Sequence, residues 1–504
     1  MSALTRREHD LLGDRDVPGQ VLWGIHTLRA IENFPLPAEP VGSYRDLVRA
    51  LGLVKKAAAI SNAELGLLPH RLARAIESAC DLVIAGDLDD QFPVSMIQGG
   101  AGTSTNMNAN EVIANAALEI LGHPRGAYEV LHPNEHVNLG QSTNDVYPTA
   151  LKLAASMASS SLLAALLELQ EEFAGKAREF DHIIKIGRTQ LQDAVPMTLG
   201  QEFRSYEVMV GEDVARLREA LVHLHEINLG ATAIGTGLNA HPDYAALARE
   251  NLEKLTGLPL TTAPNLVEAT QDCGSFVLLS GTLKRTAIKL SKICNDLRLL
   301  SSGPRAGLAE ISLPPRQAGS SIMPGKVNPV IPEFVNQVAF EIIGNDMTIS
   351  MAAEAGQLQL NAFEPIIASS LFRGIAHLMV AVGSLSEHCI AGITAHEQHL
   401  RSLAESSIGL VTVFSPIIGY TEASRIAAEA MTSGRSVTDL IVSHGFLSPE
   451  EADRILANCL FKESEHARYR SAGDASDADP HPVERPPEWN DRRSMSEGVA
   501  HALD

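Results

Sequence analysis

The amino-acid sequence predicts an all-α, mainly helical protein whose centre is a bundle of long helices. Aromatic residues make up only 4% of its 504 residues, and Ala, Leu, Ile and Val dominate, which favours helix-on-helix packing over a β-sandwich. Apolar residues recur at three- and four-residue steps through four segments of roughly seven or more turns each, which is long for a globular helix. These segments are Tyr147–Phe180, Leu199–Leu229, Phe276–Ser302 and Val330–Leu360.

The sequence pattern divides the chain into four regions. Residues 1–143 mix short apolar segments with loops, which indicates a mostly helical N-terminal domain. Residues 144–392 contain the long helices, which need neighbours on several sides and so predict a bundle that associates with copies of itself. Residues 393–463 predict a small helical C-terminal domain. Residues 464–504 are rich in Asp, Arg, Ser and Pro, a composition that predicts a disordered tail.

The charge and cysteine content limit the class of protein. A formal net charge of -21 argues against a nucleic-acid binder, because neutralising phosphates requires a basic face. The five cysteines show no metal-type pairing, and an odd number on a large chain speaks against a disulfide framework. The first residues are charged rather than apolar, and we see no predominantly apolar stretch of about 18 residues. We therefore expect a cytoplasmic protein with reduced thiols, no secretory signal and no membrane span.

The segment GSSIMPGKVNP, Gly319–Pro329, is too rich in glycine and proline for regular structure. It displays Ser320, Ser321, Lys326 and Asn328 on a loop that could close over a ligand. A lysine charge and an amide beside serine hydroxyls are suited to holding a carboxylate. The plainer interpretation is a glycine-rich turn with solvated polar residues.

Two further segments are dense in hydroxyl and amide groups. GGAGTSTNMNANEV, Gly99–Val112, includes Thr103, and HVNLGQSTNDVYP, His136–Pro148, includes Ser142–Asn144. Each precedes an apolar run, so the polar residues could simply cap helices. A capped helix start also collects free backbone donors at the positive end of the helix dipole, so the same geometry predicts an anion site.

With these three segments the chain resembles the fumarase/aspartase superfamily, and within it the aspartase family. The Gly319–Pro329 loop resembles the superfamily signature, and the resemblance runs in unbroken order from about Glu8 to about Lys462. Finer likeness to aspartases lies in the segments Gly24–Phe34, Gln98–Ser104, Gly187–Phe203, Leu229–Asn239, Cys294–Leu308 and Ala352–Asn361.

The resemblance implies a three-domain fumarase/aspartase-like fold with a central long helical bundle. It also implies a homotetramer whose active sites are shared between three subunits. The implied activity is the reversible deamination of L-aspartate to fumarate and ammonia, a step of amino-acid metabolism. We expect a small-molecule substrate and no nucleic-acid or membrane partner. No cofactor is expected to be required, although divalent cations such as Mg²⁺ activate some aspartases, and the sequence has no recognisable metal or dinucleotide signature.

The resemblance also assigns roles to individual residues. Ser320 matches the family's catalytic base, which removes the Cβ proton and leaves an enediolate on the β-carboxylate. Charge adds two expectations of its own. A carboxylate would repel a dianionic substrate, so Asp145 is expected to orient neighbouring groups rather than act as a base. The site of an acidic chain must be locally positive to bind a dianion, and Lys326, Arg29 and Arg188 are the candidate sources of that charge. The implied ligands are Thr103, Ser142, Thr143 and Ser321 for the β-carboxylate, Thr189, Lys326 and Asn328 for the α-carboxylate, and Asn144 and Gln190 for the amino group.

Gln190 departs from the superfamily, because many members have a histidine at this position. Glutamine has no titratable proton, so it cannot act as a general acid or base, although it can orient an amino group or merely pack. Two alternatives to the aspartase interpretation stay open. One is fumarate hydratase, which shares the loop, and the other is a non-catalytic relative. Gln190 counts against the first, and the intact loop counts against the second.

Overall fold

The computed structural model describes residues 5–36 and 39–456, and it is mainly helical, which confirms the predicted fold class. A short helical segment at residues 449–456 follows the last of the labelled helices. The helices are α1 (Ile25–Asn33), α2 (Arg45–Glu64), α3 (His70–Ala85), α4 (Thr103–Ile120), α5 (Thr143–Glu179), α6 (Leu199–Val222), α7 (Tyr244–Thr256), α8 (Leu266–Ala269), α9 (Gly274–Leu300), α10 (Val330–Glu354), α11 (Glu364–His388), α12 (Glu397–Ser406), α13 (Val411–Ile418), α14 (Tyr420–Ser433) and α15 (Val437–Ser443).

Strands in the described part of the chain are short and form four two-stranded sheets. Three of these sheets are antiparallel, and the pair β5–β6 is parallel. The strands are β1 (Thr5–Asp10), β2 (Gly13–Pro18), β3 (Ile184–Thr189), β4 (Gln192–Thr198), β5 (Glu226–Ile227), β6 (Thr261–Thr262), β7 (Ile311–Ser312) and β8 (Thr394–Ala395).

Five long helices form the bundle, and α5 is the longest of them at 37 residues. It packs against α2, α6 and α11, while α9 and α10 pack against each other and join α6 and α11. The four predicted segments coincide with α5, α6, α9 and α10. Two of them end early, because residues 226–227 belong to β5 rather than α6, and α10 ends at Glu354. The prediction did not single out α11, which has 25 residues.

Two helices contradict the statement that no long apolar stretch exists. Thr143–Glu179 and Glu364–Gly392 are each long and apolar enough to cross a membrane by length and composition. Within the most apolar 18-residue window of each, 56% and 61% of the residues are buried inside the protein. Core helices of a folded bundle have this same composition, so the test alone is weak evidence for a membrane span.

The chain divides into two compact units, Met1–Gly409 and Leu410–Asp504. In the second unit, α13, α14 and α15 bury a small apolar core that includes Phe414, Ile426 and Leu440. The four predicted regions, with boundaries after residues 143, 392 and 463, stay a prediction. The predicted tail, residues 464–504, lies outside the described residues.

Candidate active site

Thr103 stands at the start of α4, directly after the Gly99–Gly102 turn. Its hydroxyl donates to the carbonyl oxygen of Gly100 at 2.7 Å, and the side chain is exposed. Gly102, with a φ of +86°, is the N-cap residue and has no side chain to cap the helix, and the backbone N–H of Thr105 donates instead to Gln98 Oε1 at 3.0 Å. A Cβ atom on Gly102 would lie only 2.3 Å from the ring of Tyr147. The capping interpretation is therefore wrong for α4, whose first turn depends on a glycine packed against an aromatic ring.

The start of α5 combines capping with half-buried polar groups. Ser142 Oγ accepts from the backbone N–H of Asn144 at 3.3 Å, and the backbone N–H of Ser142 donates to Asp145 Oδ1 at 2.9 Å. Thr143 Oγ1 accepts from Asn106 Nδ2, which lies on α4, at 3.2 Å. Because these hydroxyl oxygens act as acceptors here, the hydroxyl hydrogens of Ser142 and Thr143 are available to a ligand oxygen. Asn106 joins the two predicted hydroxyl-rich segments.

Asp145 is buried and holds a neighbouring loop in place. Its Oδ2 accepts from the backbone N–H groups of Gly230 at 3.0 Å and Thr232 at 3.1 Å. Burial raises the pKa of the Asp145 carboxyl to about 6, against the opposing effect of these backbone donors. Both carboxylate oxygens accept from backbone donors, so Asp145 ties the start of α5 to the loop at residues 230–232, and its role toward a substrate stays a prediction.

Asn144 is fixed by the same loop. Its Nδ2 donates to the carbonyl oxygen of Ala233 at 2.7 Å, and its own carbonyl accepts from Asn228 Nδ2 at 3.0 Å. The side-chain oxygen of Asn144 makes no hydrogen bond among the described residues. An amide oxygen can accept from an ammonium group, which agrees with the predicted contact to a substrate amine.

A fully buried lysine lies beneath these two helix starts. Lys55 Nζ donates to Asn138 Oδ1 and to Gln141 Oε1, both at 2.9 Å. Asn138 Oδ1 also accepts from Asn106 Nδ2 at 3.2 Å, so two hydrogen-bonded amides separate the ammonium group from the Thr143 hydroxyl. Burial lowers the pKa of the Lys55 ammonium group to about 7, while the nearby Asp145 carboxyl opposes that shift. The sequence analysis missed Lys55, although a lysine inside the apolar run LGLVKKAAAI was a signal for it.

Thr189 and Gln190 lie at the tip of the β3–β4 hairpin. Thr189 pairs with Gln192, and the two-residue turn Gln190–Leu191 has φ values of +51° and +62°. Positive φ at both central residues is the geometry of tight hairpin turns, which follow the twist of their strands. All three residues from Thr189 to Leu191 are exposed. The hairpin therefore presents the predicted ligands Thr189 and Gln190 outward.

The Gly319–Pro329 loop is irregular and closed on itself. Ser320 Oγ accepts from the backbone N–H groups of Ile322 at 3.2 Å and Met323 at 2.8 Å. The backbone N–H of Gly319 donates to Lys326 O at 2.9 Å, and Asn328 Nδ2 donates to Gly319 O at 3.1 Å. The two donors on Ser320 Oγ would stabilise negative charge on that oxygen, as a serine base requires.

Two of the three predicted sources of positive charge are paired within the chain. Arg29 donates to both carboxylate oxygens of Asp10, at 2.7 and 2.8 Å. Arg188 forms an ion pair with the buried Glu310. The expectation that Arg29 and Arg188 supply free positive charge is therefore wrong. Lys326 is exposed and forms no ion pair with any residue that the structure describes.

Comparison with known proteins places the chain in a family. The family described as lyase matches residues 13–344, and the family described as fumarase C C-terminus matches residues 410–458. The chain belongs to the fumarase/aspartase superfamily. Aspartate ammonia-lyase of Pseudomonas fluorescens is 59% identical over 456 residues, which cover 90% of this chain and 95% of the relative. Aspartate ammonia-lyase of Escherichia coli strain K12 is 52% identical over 458 residues, which cover 91% and 96%.

Solved structures of superfamily members have the same fold. A fumarate lyase:delta crystallin from Brucella melitensis bound to cobalt has a TM-score of 0.88 and 54% identity, over 90% of this chain and 98% of that one. A class II fumarase from Schistosoma mansoni has a TM-score of 0.86 and 35% identity, over the same shares. The lyase family match, residues 13–344, includes all three predicted site segments.

Within one superfamily subunit, the predicted residues fall into three groups. Thr103 and Ser142–Asn144 lie on two adjacent helix starts joined by Asn106. The Thr189–Gln190 hairpin tip and the Ser320–Asn328 loop are separate from them. In the described part of the chain, no hydrogen bond links any one of these groups to another. We call these three groups the partial sites of a subunit, since no hydrogen bond among the described residues joins them.

Proposed function

We propose that the chain is an aspartate ammonia-lyase, a carbon-nitrogen lyase that converts L-aspartate reversibly into fumarate and ammonia. The observation that carries this conclusion is its likeness to named aspartate ammonia-lyases over about nine-tenths of its length. That likeness exceeds its likeness to the class II fumarase. The reaction needs no organic cofactor, because its difficult step is removal of a proton from a carbon atom next to a carboxylate.

Proton removal is assigned to Ser320. The Cβ proton of aspartate is weakly acidic, so the base must hold negative charge on its own oxygen. The backbone N–H groups of Ile322 and Met323 already donate to Ser320 Oγ, and the nearby charge of Lys326 on the same loop favours the anion further. Closure of the loop would exclude water and strengthen both effects.

The β-carboxylate is assigned to the N-terminal ends of α4 and α5. Ser142 and Thr143 can donate their hydroxyl hydrogens, and Thr103 can do so by releasing Gly100 O. Ser321 is the fourth predicted donor. Two helix starts add the positive ends of their dipoles. Since negative charge grows on this carboxylate as the enediolate forms, these donors bind the transition state more tightly than the substrate.

The α-carboxylate and the amino group are assigned to the remaining residues. Lys326 supplies the charge for the α-carboxylate, with Thr189 and Asn328 as hydrogen-bond donors. Asn144 and Gln190 orient the amino group through their amide oxygens. Neither side chain can protonate the leaving amine, and none is needed, because the substrate's –NH3⁺ group is already protonated and leaves as NH3 with the electron pair of the C–N bond.

A homotetramer with active sites shared between three subunits would unite the three partial sites. The supporting observation is an exposed apolar stripe on α10, formed by Phe340, Ile343, Met347 and Met351, which are 39–66% exposed. The steps of three and four residues place these side chains on one helix face. An exposed apolar face of that length marks an interface, and a second copy of the same chain supplies a matching face.

The remaining parts of the proposal concern location, metal ions and domains. Cytoplasmic location is supported by four free and buried cysteines in the described part of the chain. Among the described residues there is no group of three or more His, Cys, Asp or Glu side chains that could hold a metal ion. Activation by Mg²⁺ would then use fewer protein ligands or ligands from several subunits. We also assign the domains to residues 1–143, 144–392 and 393–463.

The decisive experiment compares two substrates. The purified protein is mixed with L-aspartate and, separately, with L-malate, and fumarate is followed by its ultraviolet absorbance while ammonia is assayed. We expect fumarate and equimolar ammonia from L-aspartate alone, and no activity in Ser320→Ala. Fumarate from L-malate alone would make the protein a fumarate hydratase, and no product from either substrate would indicate a non-catalytic relative.

A further inference from the structure

A buried cluster of charges lies at the base of the Thr189–Gln190 hairpin and includes Glu310, which precedes the Gly319–Pro329 loop. The Glu310 carboxylate has no exposed surface, and Lys185 Nζ lies 2.7 Å from its Oε2. Arg188 pairs with the other carboxylate oxygen. Lys185 Nζ also lies 2.6 Å from Glu202 Oε2 on α6. The cluster therefore contains two cations and two carboxylates, and Glu310 is the member that binds both cations.

Both cations belong to the hairpin that carries Thr189 and Gln190. Lys185 and Arg188 lie on β3, and Arg188 directly precedes Thr189. Residues three apart on a regular strand point to opposite faces. A register irregularity between Ile186 and Arg188 increases the local twist, and both long side chains reach the same carboxylate. The irregular hairpin is therefore shaped around Glu310.

Glu310 itself stands on a firmly held segment that leads to the Gly319–Pro329 loop. Its backbone N–H donates to Leu300 O at 2.9 Å, and its carbonyl accepts from the backbone N–H of His396 at 3.0 Å. The next two residues form β7, which pairs with β8. Arg316, closer to the loop, donates to His388 O at 2.8 Å. The Glu310 carboxylate thus joins the hairpin to the segment of residues 310–318, which we call the stem of the Ser320 loop.

We propose that Glu310 is a positioning residue, which holds the Thr189–Gln190 hairpin tip in place on its own subunit by anchoring the base of the hairpin to the stem of the Ser320 loop. It touches neither substrate nor reacting atoms in this assignment. The inference rests on the proposed function, because Thr189 and Gln190 are assigned to the α-carboxylate and amino group of L-aspartate. A displacement of about 1 Å in a substrate-holding group can lower a rate by about 100-fold, so an anchor at the base of the hairpin affects the chemistry at its tip.

The neighbouring carboxylate Glu202 provides a matched control. Replacing Glu310 with glutamine leaves Arg188 without its carboxylate and leaves Lys185 with Glu202 alone. Replacing Glu202 with glutamine also removes one carboxylate from Lys185, but it keeps the Arg188–Glu310 pair intact. Both variants leave buried positive charge less well compensated, which lowers stability. They differ in whether the hairpin stays tied to the loop stem.

The experiment measures kcat and KM for L-aspartate, together with hydrogen exchange of the peptide covering residues 184–198. For Glu310→Gln we expect a higher KM, a fall of about 100-fold in kcat/KM and faster exchange in the hairpin. For Glu202→Gln we expect lower thermal stability with kcat and KM unchanged. A folded Glu310→Gln variant with wild-type kcat, KM and exchange would overturn the proposal.

Two further outcomes have a defined meaning. If Glu310→Gln does not fold, the double variant Lys185→Met/Glu310→Gln removes one cation together with the carboxylate, and the same loss of kcat/KM and faster exchange are expected of it. If the wild-type protein makes no fumarate from L-aspartate, the proposed function fails. The hydrogen exchange of residues 184–198 then still decides whether Glu310 anchors the hairpin.

Discussion

At the scale of single residues, Gly102 is constrained in two ways. Its φ of +86° lies in the left-handed region, and an added Cβ would enter the ring of Tyr147. Backbone strain of a non-glycine residue in this region amounts to about 1–2 kcal/mol, and overpacking adds about 1–3 kcal/mol. Since Thr103 follows directly, any relief of the clash moves a predicted ligand of the β-carboxylate.

Gly102→Ala should therefore lower both stability and activity. We expect a loss of about 2–5 kcal/mol in the free energy of unfolding and a clear fall in kcat. Gly122→Ala is the matched control, because Gly122 has a φ of +81° with no atom within 4 Å of an added Cβ. The free energy of unfolding of that control should fall only by the backbone strain of about 1–2 kcal/mol, and its kcat should be unchanged. Urea unfolding and initial rates measure both effects, and equal losses in the two variants would contradict the clash.

The predicted site residues stay a prediction, and what the sequence could and could not indicate about the site has identifiable reasons. Thr103, Ser142 and Ser320 stand in segments punctuated by glycine, where polar residues are conspicuous. Lys55 and Glu310 were missed because each is a single charged residue whose partners are distant in the sequence. The same distance explains the error over Arg188, which pairs with a carboxylate 122 residues away. Ion pairs of this kind become visible only after the chain has folded.

At the scale of elements, α11 begins with a buried carboxyl group. Glu364 is in the first turn of α11, and burial raises its pKa to about 8 from an ordinary value of 4.5, with Lys152 opposing the shift. Lys152 belongs to α5. Tyr147 and Cys273 are also close enough to the Glu364 carboxyl to interact with it electrostatically. Between these two pKa values the folded protein holds a proton that the unfolded chain has lost. Stability therefore falls as the pH rises from about 4.5 to about 8.

Glu364→Gln should remove this pH dependence, because glutamine resembles the protonated acid and does not titrate. The free energy of unfolding of the variant, relative to the wild type, should rise by about 1.4 kcal/mol per pH unit across that range. Unfolding is followed at fixed protein concentration at pH 5, 7 and 9. A difference between the two proteins that is the same at all three pH values would show that Glu364 is already ionised in the folded state.

The helices themselves were predictable wherever one face is apolar and the other is not. The starts of α6 and α10 agree with the prediction at the residue, and α5 and α9 begin within a few residues of the predicted segments. The α11 segment contains many Ala, Ser and Gly residues, which blur the three- and four-residue spacing. Its burial on most sides has the same effect, since no polar face marks the period. The helix α11 is therefore recognised from its packing against neighbouring helices rather than from the spacing of its apolar residues.

At the scale of the whole molecule, the exposed stripe on α10 and the three separate partial sites point to one explanation. A single subunit exposes apolar side chains that would be stabilised by burial, and its predicted site residues lie in three groups. Association of subunits would bury the α10 stripe and could bring the partial sites of different subunits together. Activity should therefore depend on assembly rather than on the fold of one subunit.

Met347→Glu should break the proposed homotetramer. A charged side chain in the middle of the α10 stripe would be buried without a partner in the assembly, at a cost of several kcal/mol. We expect sedimentation velocity to show smaller species and the activity to fall in parallel, while the helical circular dichroism signal is retained. Leu67→Glu, at an exposed leucine outside α10, is the control and should keep its assembly. Full activity in a dissociated Met347→Glu variant would rule out active sites shared between subunits.

The hydrogen bonds that close the Gly319–Pro329 loop on itself also bear on conformational entropy. Ordering the backbone of one residue costs roughly 1–2 kcal/mol. Since Gly319 is already tied to Lys326 and Asn328, a movement over the substrate carries the loop as one preformed unit, and much of that entropy is lost before the substrate arrives. L-Aspartate has few atoms with which to bind. Less of the binding energy is then needed to order the loop, and more of it can stabilise the charge that develops in the transition state.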